Sequence, residues 1–258
     1  MVELNGVILR WRVLVVAVLA FTLLPFNMAR ASEEEDAENA SNPLSKARNT
    51  DLRYQYFDLV DGSDRHDAFV DGAFMATDKL KVKYELHYWE TNVTGRSEDD
   101  WERLSIKPIY FPKEGTLGTW KYRLAVGFEW ILDFNHASKG IGSGADQLAP
   151  LVGVALLPRP GTILIPLVQQ FWSYNGEDVN TTGPRLIALQ TLPNDFWLKL
   201  DGKVPVDWEN DNAIPATLEV QLGKHVSNSL GIFADGLFGI GGDRPYDYGV
   251  GVGVRFKY

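Results

Sequence analysis

Residues 246–258 read Y-D-Y-G-V-G-V-G-V-R-F-K-Y. Tyr246, Tyr248, Val250, Val252, Val254, Phe256 and Tyr258 hold every second position. Asp247, Gly249, Gly251, Gly253, Arg255 and Lys257 hold the positions between. A period of two is a β-strand whose two faces differ in polarity. Here the apolar face is aromatic at both ends and aliphatic in the middle. A strand that crosses a bilayer shows this order, because aromatic rings settle at the two interfaces and aliphatic side chains meet the lipid tails. A sheet in water also alternates, but it has no need of aromatics at both ends of one face.

Working outward, the chain from residue 51 gives twelve candidate strands, at approximately 52–59, 67–76, 79–91, 101–111, 121–134, 148–157, 162–174, 183–192, 196–208, 214–226, 230–240 and 246–258. The clearest alternators besides the last are 79–91, 121–134, 196–208 and 214–226. The poorest are 148–157 and its neighbour 162–174. The first of these holds the unbroken apolar run L-A-P-L-V-G-V-A-L-L, so an inner face there packs on something. The connections sort by parity. The even-numbered ones, at 77–78, 112–120, 158–161, 193–195 and 227–229, are very short in all cases but 112–120. The odd-numbered ones, led by 92–100 and 135–147, run to five residues or more and are polar. Short turns on one side and long loops on the other are the mark of an outer-membrane barrel. The expectation is an all-β, antiparallel, up-and-down transmembrane barrel of about twelve strands over residues 51–258. An even strand number returns both termini to one side, the periplasm.

Composition agrees. Aromatic residues make up 12% of the chain, with 8 Trp, 10 Tyr and 13 Phe, enough for two interfacial belts. The 24 Gly suit turns and barrel bends. Cysteine is absent, which excludes disulfides and thiolate chemistry. Residues 1–31 read as a cleaved secretory signal. Arg10 and Arg12 give a positive start, an apolar core of twelve residues runs over 13–24, Pro25 breaks it, and Ala29 and Ala31 place small residues before Ser32. No apolar run after residue 31 is long enough for a membrane helix. Residues 32–50 are acidic and then rich in Asn and Ser, with Leu44 the single large apolar residue, and read as a disordered periplasmic lead-in. The net charge is −9, and residues 1–31 carry +2, which leaves −11 for the remainder. That balance excludes general nucleic-acid affinity.

In such a barrel the polar alternates face the lumen. Leu80, Val82, Tyr84, Leu86 and Tyr88 then meet lipid, and Lys79, Lys81, Lys83, Glu85 and His87 point in. Leu198, Leu200, Val204 and Val206 oppose Lys199, Asp201, Lys203 and Asp207. Tyr122, Leu124, Val126, Phe128, Trp130 and Leu132 oppose Arg123, Glu129 and Asp133. Leu218, Val220 and Leu222 oppose Glu219 and Gln221. The candidate channel-lining charges are Lys81, Lys83, Glu85, Lys199, Asp201, Lys203 and Glu219. Both signs are present in near balance, which leaves a solvated conduit and an ion-paired, closed lumen both open.

Catalytic and metal motifs are weak. His225-Val226-Ser227-Asn228 resembles the H-x-S-N motif of outer-membrane phospholipase and lipid A deacylase, in which His activates Ser. However, Ser227-Asn228-Ser229 is also turn chemistry on the periplasmic side. His136-Ala137-Ser138 lacks the Asn. His66, His87, His136 and His225 are scattered without metal-ligand spacing, so no zinc site is expected. Asp99, Asp100, Asp146 and Asp178 have no Ca²⁺-loop spacing. Gly140-Ile141-Gly142-Ser143-Gly144 lies outside any strand-to-helix unit and reads as a flexible loop. No cofactor is expected.

The last strand resembles the C-terminal strand of bacterial outer-membrane barrels, in which the closing aromatic is read by the assembly machinery. That resemblance implies a partner role for Phe256 and Tyr258. Residues 189–201 (L-Q-T-L-P-N-D-F-W-L-K-L-D), 206–211 (V-D-W-E-N-D) and 215–224 (P-A-T-L-E-V-Q-L-G-K) resemble the outer-membrane barrel transporter family that includes the MetA-like proteins of a phenol-degradation pathway. The resemblance implies a passive outer-membrane channel for a small solute, with outer-membrane lipids around it and no catalytic residue to carry over. The alternatives are a lipid hydrolase using His225 and Ser227, and a closed barrel that binds partners through the 92–100 and 135–147 loops.

Overall fold

The computed structural model describes residues 41–258. Its strands are β1 (Asn49–Asp58), β2 (Asp64–Thr77), β3 (Leu80–Thr91), β4 (Glu98–Tyr110), β5 (Glu114–Leu117), β6 (Trp120–Asp133), β7 (Ala145–Arg159), β8 (Thr162–Gly176), β9 (Asn180–Thr191), β10 (Phe196–Lys203), β11 (Val206–Asp207), β12 (Ala216–His225), β13 (Leu230–Ile240) and β14 (Tyr248–Lys257). Segment β5 prolongs β4 along β6, and β11 prolongs β10 along β9, so fourteen segments make twelve staves. Each stave pairs antiparallel with its sequence neighbours. The ring closes between the first and last, from Asn49 opposite Lys257 to Asp58 opposite Tyr248. A closed ring leaves no sheet edge unpaired.

The polarity of this barrel is inside out. On the outer face Val250 and Val252 are 55% and 58% exposed, whereas Asp51, Lys81 and Asp201 inside are at most 1% exposed. A barrel in water would not show aliphatic residues outward and charges inward; lipid around a polar interior requires it. Tyr54, Trp101, Tyr110, Trp130, Trp172 and Phe256 are among the exposed outer aromatics.

The turns follow chain chemistry. At the end holding both termini the links are tight. The 112–120 connection, longest of its set in the sequence, shortens to Gly118-Thr119 because β5 extends the sheet. Asn194 and Asp195 both take positive φ, 60° and 65°, the geometry of a tight hairpin whose twist matches its strands. The other end carries the longer loops, except that β8 and β9 lengthen and leave three residues, 177–179, between them.

Three expectations change. Tyr246, expected on the outer face, precedes β14 and is 7% exposed, packed on Phe57 at 4.9 Å between ring centroids. The backbone N–H of Asp247 donates to the Asp58 carbonyl at 2.8 Å and turns the chain in there. Val204 is buried rather than facing lipid, because Ala188, Ile214 and Ala216 close over it. The third concerns the lead-in. The sheet begins at Asn49, and residues 41–48 fold into the barrel end instead of trailing from it. The expected signal at 1–31 and the rest of the lead-in fall in residues 1–40, outside the described residues.

Candidate functional site: a stoppered, charged interior

Leu44 is the pivot of the lower interior. It is 1% exposed and belongs to one cluster with Ile109, Phe111, Ala125, Ala155, Ile163, Ile165, Leu167, Ile187, Leu189, Trp197 and Phe233. Those residues come from the adjacent staves β4 to β10 and from β13, with Met75 of β2 packed against them. This cluster is what the apolar inner faces of β7 and β8 pack on. Burial of one leucine side chain is worth about 1.5–3 kcal/mol, enough to seat a short segment when polar groups assist it.

Polar groups do assist. The Asn42 side chain accepts the Leu44 N–H at 2.8 Å, and the Ser45 N–H donates to the Asn42 carbonyl at 3.0 Å, closing a turn. Its outward carbonyls then meet cations. Lys81 Nζ donates to Ser45 O at 2.8 Å and to Pro43 O at 3.3 Å. Arg123 Nη1 donates to Leu44 O at 3.1 Å. Arg255 and Gln221 reach Ser41 Oγ, and Lys46 pairs with Glu114 at 2.7 Å.

Small residues make room for this floor. A Cβ on Gly223 would meet the Trp197 ring at 2.1 Å, and one on Gly253 would meet the Phe233 ring at 2.2 Å. Gly223 and Gly253 are thus seats for neighbouring rings.

Above the floor lies a belt of charge. Arg255 forks onto Asp51 with Nε–O distances of 2.9 and 3.0 Å. Arg53 pairs with Asp235 at 2.7 Å and reaches Glu219 at 3.6 Å, across β14 and β13. Lys199 pairs with Glu219 at 2.7 Å. Arg185 grips Asp201 through Nε at 2.7 Å and through Nη2. Lys107 and Gln169 both donate to Glu129 at 2.7 Å. Nearer the loops His87 Nδ1 meets Asp67 at 3.0 Å, and Arg103 meets Glu102 at 3.1 Å. Charges this far from bulk water persist only when paired and hydrogen-bonded.

All seven residues singled out from the sequence point inward, but they do different things. Lys81 holds the lead-in. Lys83 and Glu85 meet at 3.6 Å, and Lys199, Asp201 and Glu219 form one network. Lys203 has no ion pair within 4 Å. Sequence reading passed over Arg53, Lys107, Arg185 and Asp235. Arg53 was detectable, set between Leu52 and Tyr54. Arg185 was hidden, because Leu186-Ile187-Ala188-Leu189 breaks the alternation after it.

The loop end is tied down. The Asp133 carboxylate accepts the N–H groups of Asn135, Ser143 and Gly144 at 2.7, 2.8 and 3.1 Å, and Ile141 is fully buried. The glycine string expected to be flexible is therefore wrapped around a carboxylate. Lys139 donates to Asp100 at 2.8 Å, and that hydrogen bond raises its pKa above the ordinary value.

The hydrolase pair is not assembled. The His225 ring packs tilted against Trp197, 4.5 Å between centroids, and its Nδ1 lies 3.4 Å from Lys257 Nζ. Ser227 Oγ instead meets Ser229 Oγ at 3.4 Å.

No protein-family model and no curated protein sequence matches the chain. Solved structures do. An outer membrane channel from Pseudomonas putida F1 aligns with TM-score 0.61 at 8% identity, covering 90% of this chain and all of that one. The NanC porin aligns with TM-score 0.59 at 11% identity, covering 82% and 100%. Outer membrane phospholipase A from Escherichia coli aligns with TM-score 0.53 at 12% identity, covering 88% and 98%. The fold is the twelve-stranded outer-membrane barrel. One barrel architecture carries both channels and an enzyme among these neighbours, so function has to be argued from the interior.

Proposed function

We propose that this protein is a passive channel for a small solute in the outer membrane of a Gram-negative bacterium, with its lead-in acting as a removable stopper at the periplasmic end. The observation that carries this reading is the charged belt. A barrel serving only as structure fills its bore with packed side chains; here about a dozen charged groups line the space above one apolar floor. The floor depends on Leu44, which belongs to the lead-in and not to the wall. The channel names of two structural neighbours agree with this reading. So does the resemblance of 189–201, 206–211 and 215–224 to the MetA-like transporters, stretches that form the β9–β10 turn with β10, then β11 and its turn, then β12 here.

Lipids surround the outer face, and the assembly machinery reads Phe256 and Tyr258, which are 44% and 67% exposed. The test is osmotic swelling of proteoliposomes in arabinose. Residues 32–258 are compared with a chain lacking residues up to 46. Swelling faster than in protein-free vesicles supports a conduit. No swelling with either chain, both folded, would overturn it.

A further inference from the structure

The interior charges are near balance, yet they are not matched one to one. Each belt carboxylate described above has a cationic partner. Arg65 has no such partner: among the described residues its side chain makes no hydrogen bond and no ion pair. The two nearby carboxylates are already taken, Asp67 by His87 at 3.0 Å and Glu102 by Arg103 at 3.1 Å.

Arg65 is nonetheless held in place. Its guanidinium carbon lies 4.2 Å from the Phe57 ring centroid and 4.3 Å from that of Trp89. Phe57 stands directly opposite Arg65 in the β1–β2 register, and Tyr246 backs it. Ring faces fix the plane of a guanidinium without using its N–H groups. The Nε of Arg65 and the Nε1 of Trp89 are both buried with no protein acceptor. Buried donors without an acceptor are costly and call for a partner. A preorganised planar fork at the loop end of the bore matches a carboxylate, which it can take bidentately.

We propose that Arg65, clamped between Phe57 and Trp89, is a binding site for small organic carboxylates at the loop-end mouth of the barrel. As the solute class of the channel it rests on the channel reading; as a binding site it stands without it. The unpaired Lys203 adds positive charge on the opposite side of the ring.

The test is isothermal titration of the detergent-folded barrel, residues 32–258, with sodium benzoate and with benzylamine, which share a ring and differ in charge. Benzoate binds and benzylamine does not. Arg65→Gln weakens benzoate at least ten-fold, and Arg65→Lys, which keeps the charge but loses the planar fork, weakens it less than Arg65→Gln without restoring wild-type binding. Equal binding of the two probes to the wild-type barrel, or undiminished benzoate binding by folded Arg65→Gln, would overturn the proposal. The swelling assay separates the two readings. Swelling without benzoate binding leaves the channel and removes the site; binding without swelling does the reverse.

Discussion

The Lys81 ammonium stands 2.8 Å from the backbone carbonyl oxygen of Ser45, so a wall residue on β3 and the lead-in share one buried hydrogen bond. A second bond to Pro43 O, at 3.3 Å, completes the hold. Lysine suits this place because its three donors sit on a long flexible stem and can serve two carbonyls at once.

Removing that ammonium loosens the stopper. Hydrogen bonds from a charged group are worth about 1.5–3 kcal/mol net, or roughly ten-fold or more in exposure of the segment. The chain has no cysteine, so Ser45→Cys, at a fully buried position beside Leu44, supplies a unique thiol. Maleimide labels it slowly in the otherwise native barrel and about ten-fold faster with Lys81→Ala added. Equal rates would show that Lys81 does not hold the lead-in.

Arg185 and Asp201 stabilise the barrel as a pair. The Asp201 side chain has no exposure, and its partner grips it through two nitrogens. Asp201→Asn leaves a guanidinium without its counter-charge, at a cost of about 3–5 kcal/mol. Joint replacement by Met and Leu costs less than either single change. The midpoint of heat-induced unfolding on a cold gel reads both effects. A double variant weaker than both singles would refute the coupling.

Trp197 and Gly223 fit one another. A Cβ at 223 falls 2.1 Å from the ring, so Gly223→Ala overpacks the floor by about 1–3 kcal/mol. In a Trp197→Ala background the same change is close to neutral. An identical penalty in both backgrounds would mean that the ring is not the obstacle.

The outer face tests the membrane reading directly. Val252→Arg at 58% exposure would be nearly harmless in water, whereas an arginine near the bilayer midplane costs about 2–4 kcal/mol. Folding yield into lipid vesicles, followed by gel shift, should drop for Val252→Arg and hold for Lys224→Arg near the strand end. Equal yields would argue against lipid contact at Val252.

Much of this was legible in the sequence. Alternation placed all twelve staves and some of the inward charges, because period two survives wherever one face meets lipid and the other is polar. Tyr246 and Val204 escaped it, since each lies where the chain leaves the ladder and a neighbour decides its side. The stopper escaped for a different reason. One leucine in a polar segment cannot bury itself, and residues 32–50 read as unfolded on that ground. What Leu44 packs on comes from seven separate staves, and Arg123 and Lys81, which hold its turn, are distant in sequence. Arg65 falls outside the second candidate strand, 67–76, and carries no signal in the sequence. Its isolation emerges only once every neighbouring carboxylate is seen to be paired.

Single-channel recording in a planar bilayer tests the stoppered passage most directly. The chain of residues 32–258 and the same chain lacking residues up to 46 are compared at equal salt and voltage. Rare, brief openings in the first and sustained, larger steps in the second are the expected result. Indistinguishable traces from two folded barrels, whether both open or both silent, would contradict it.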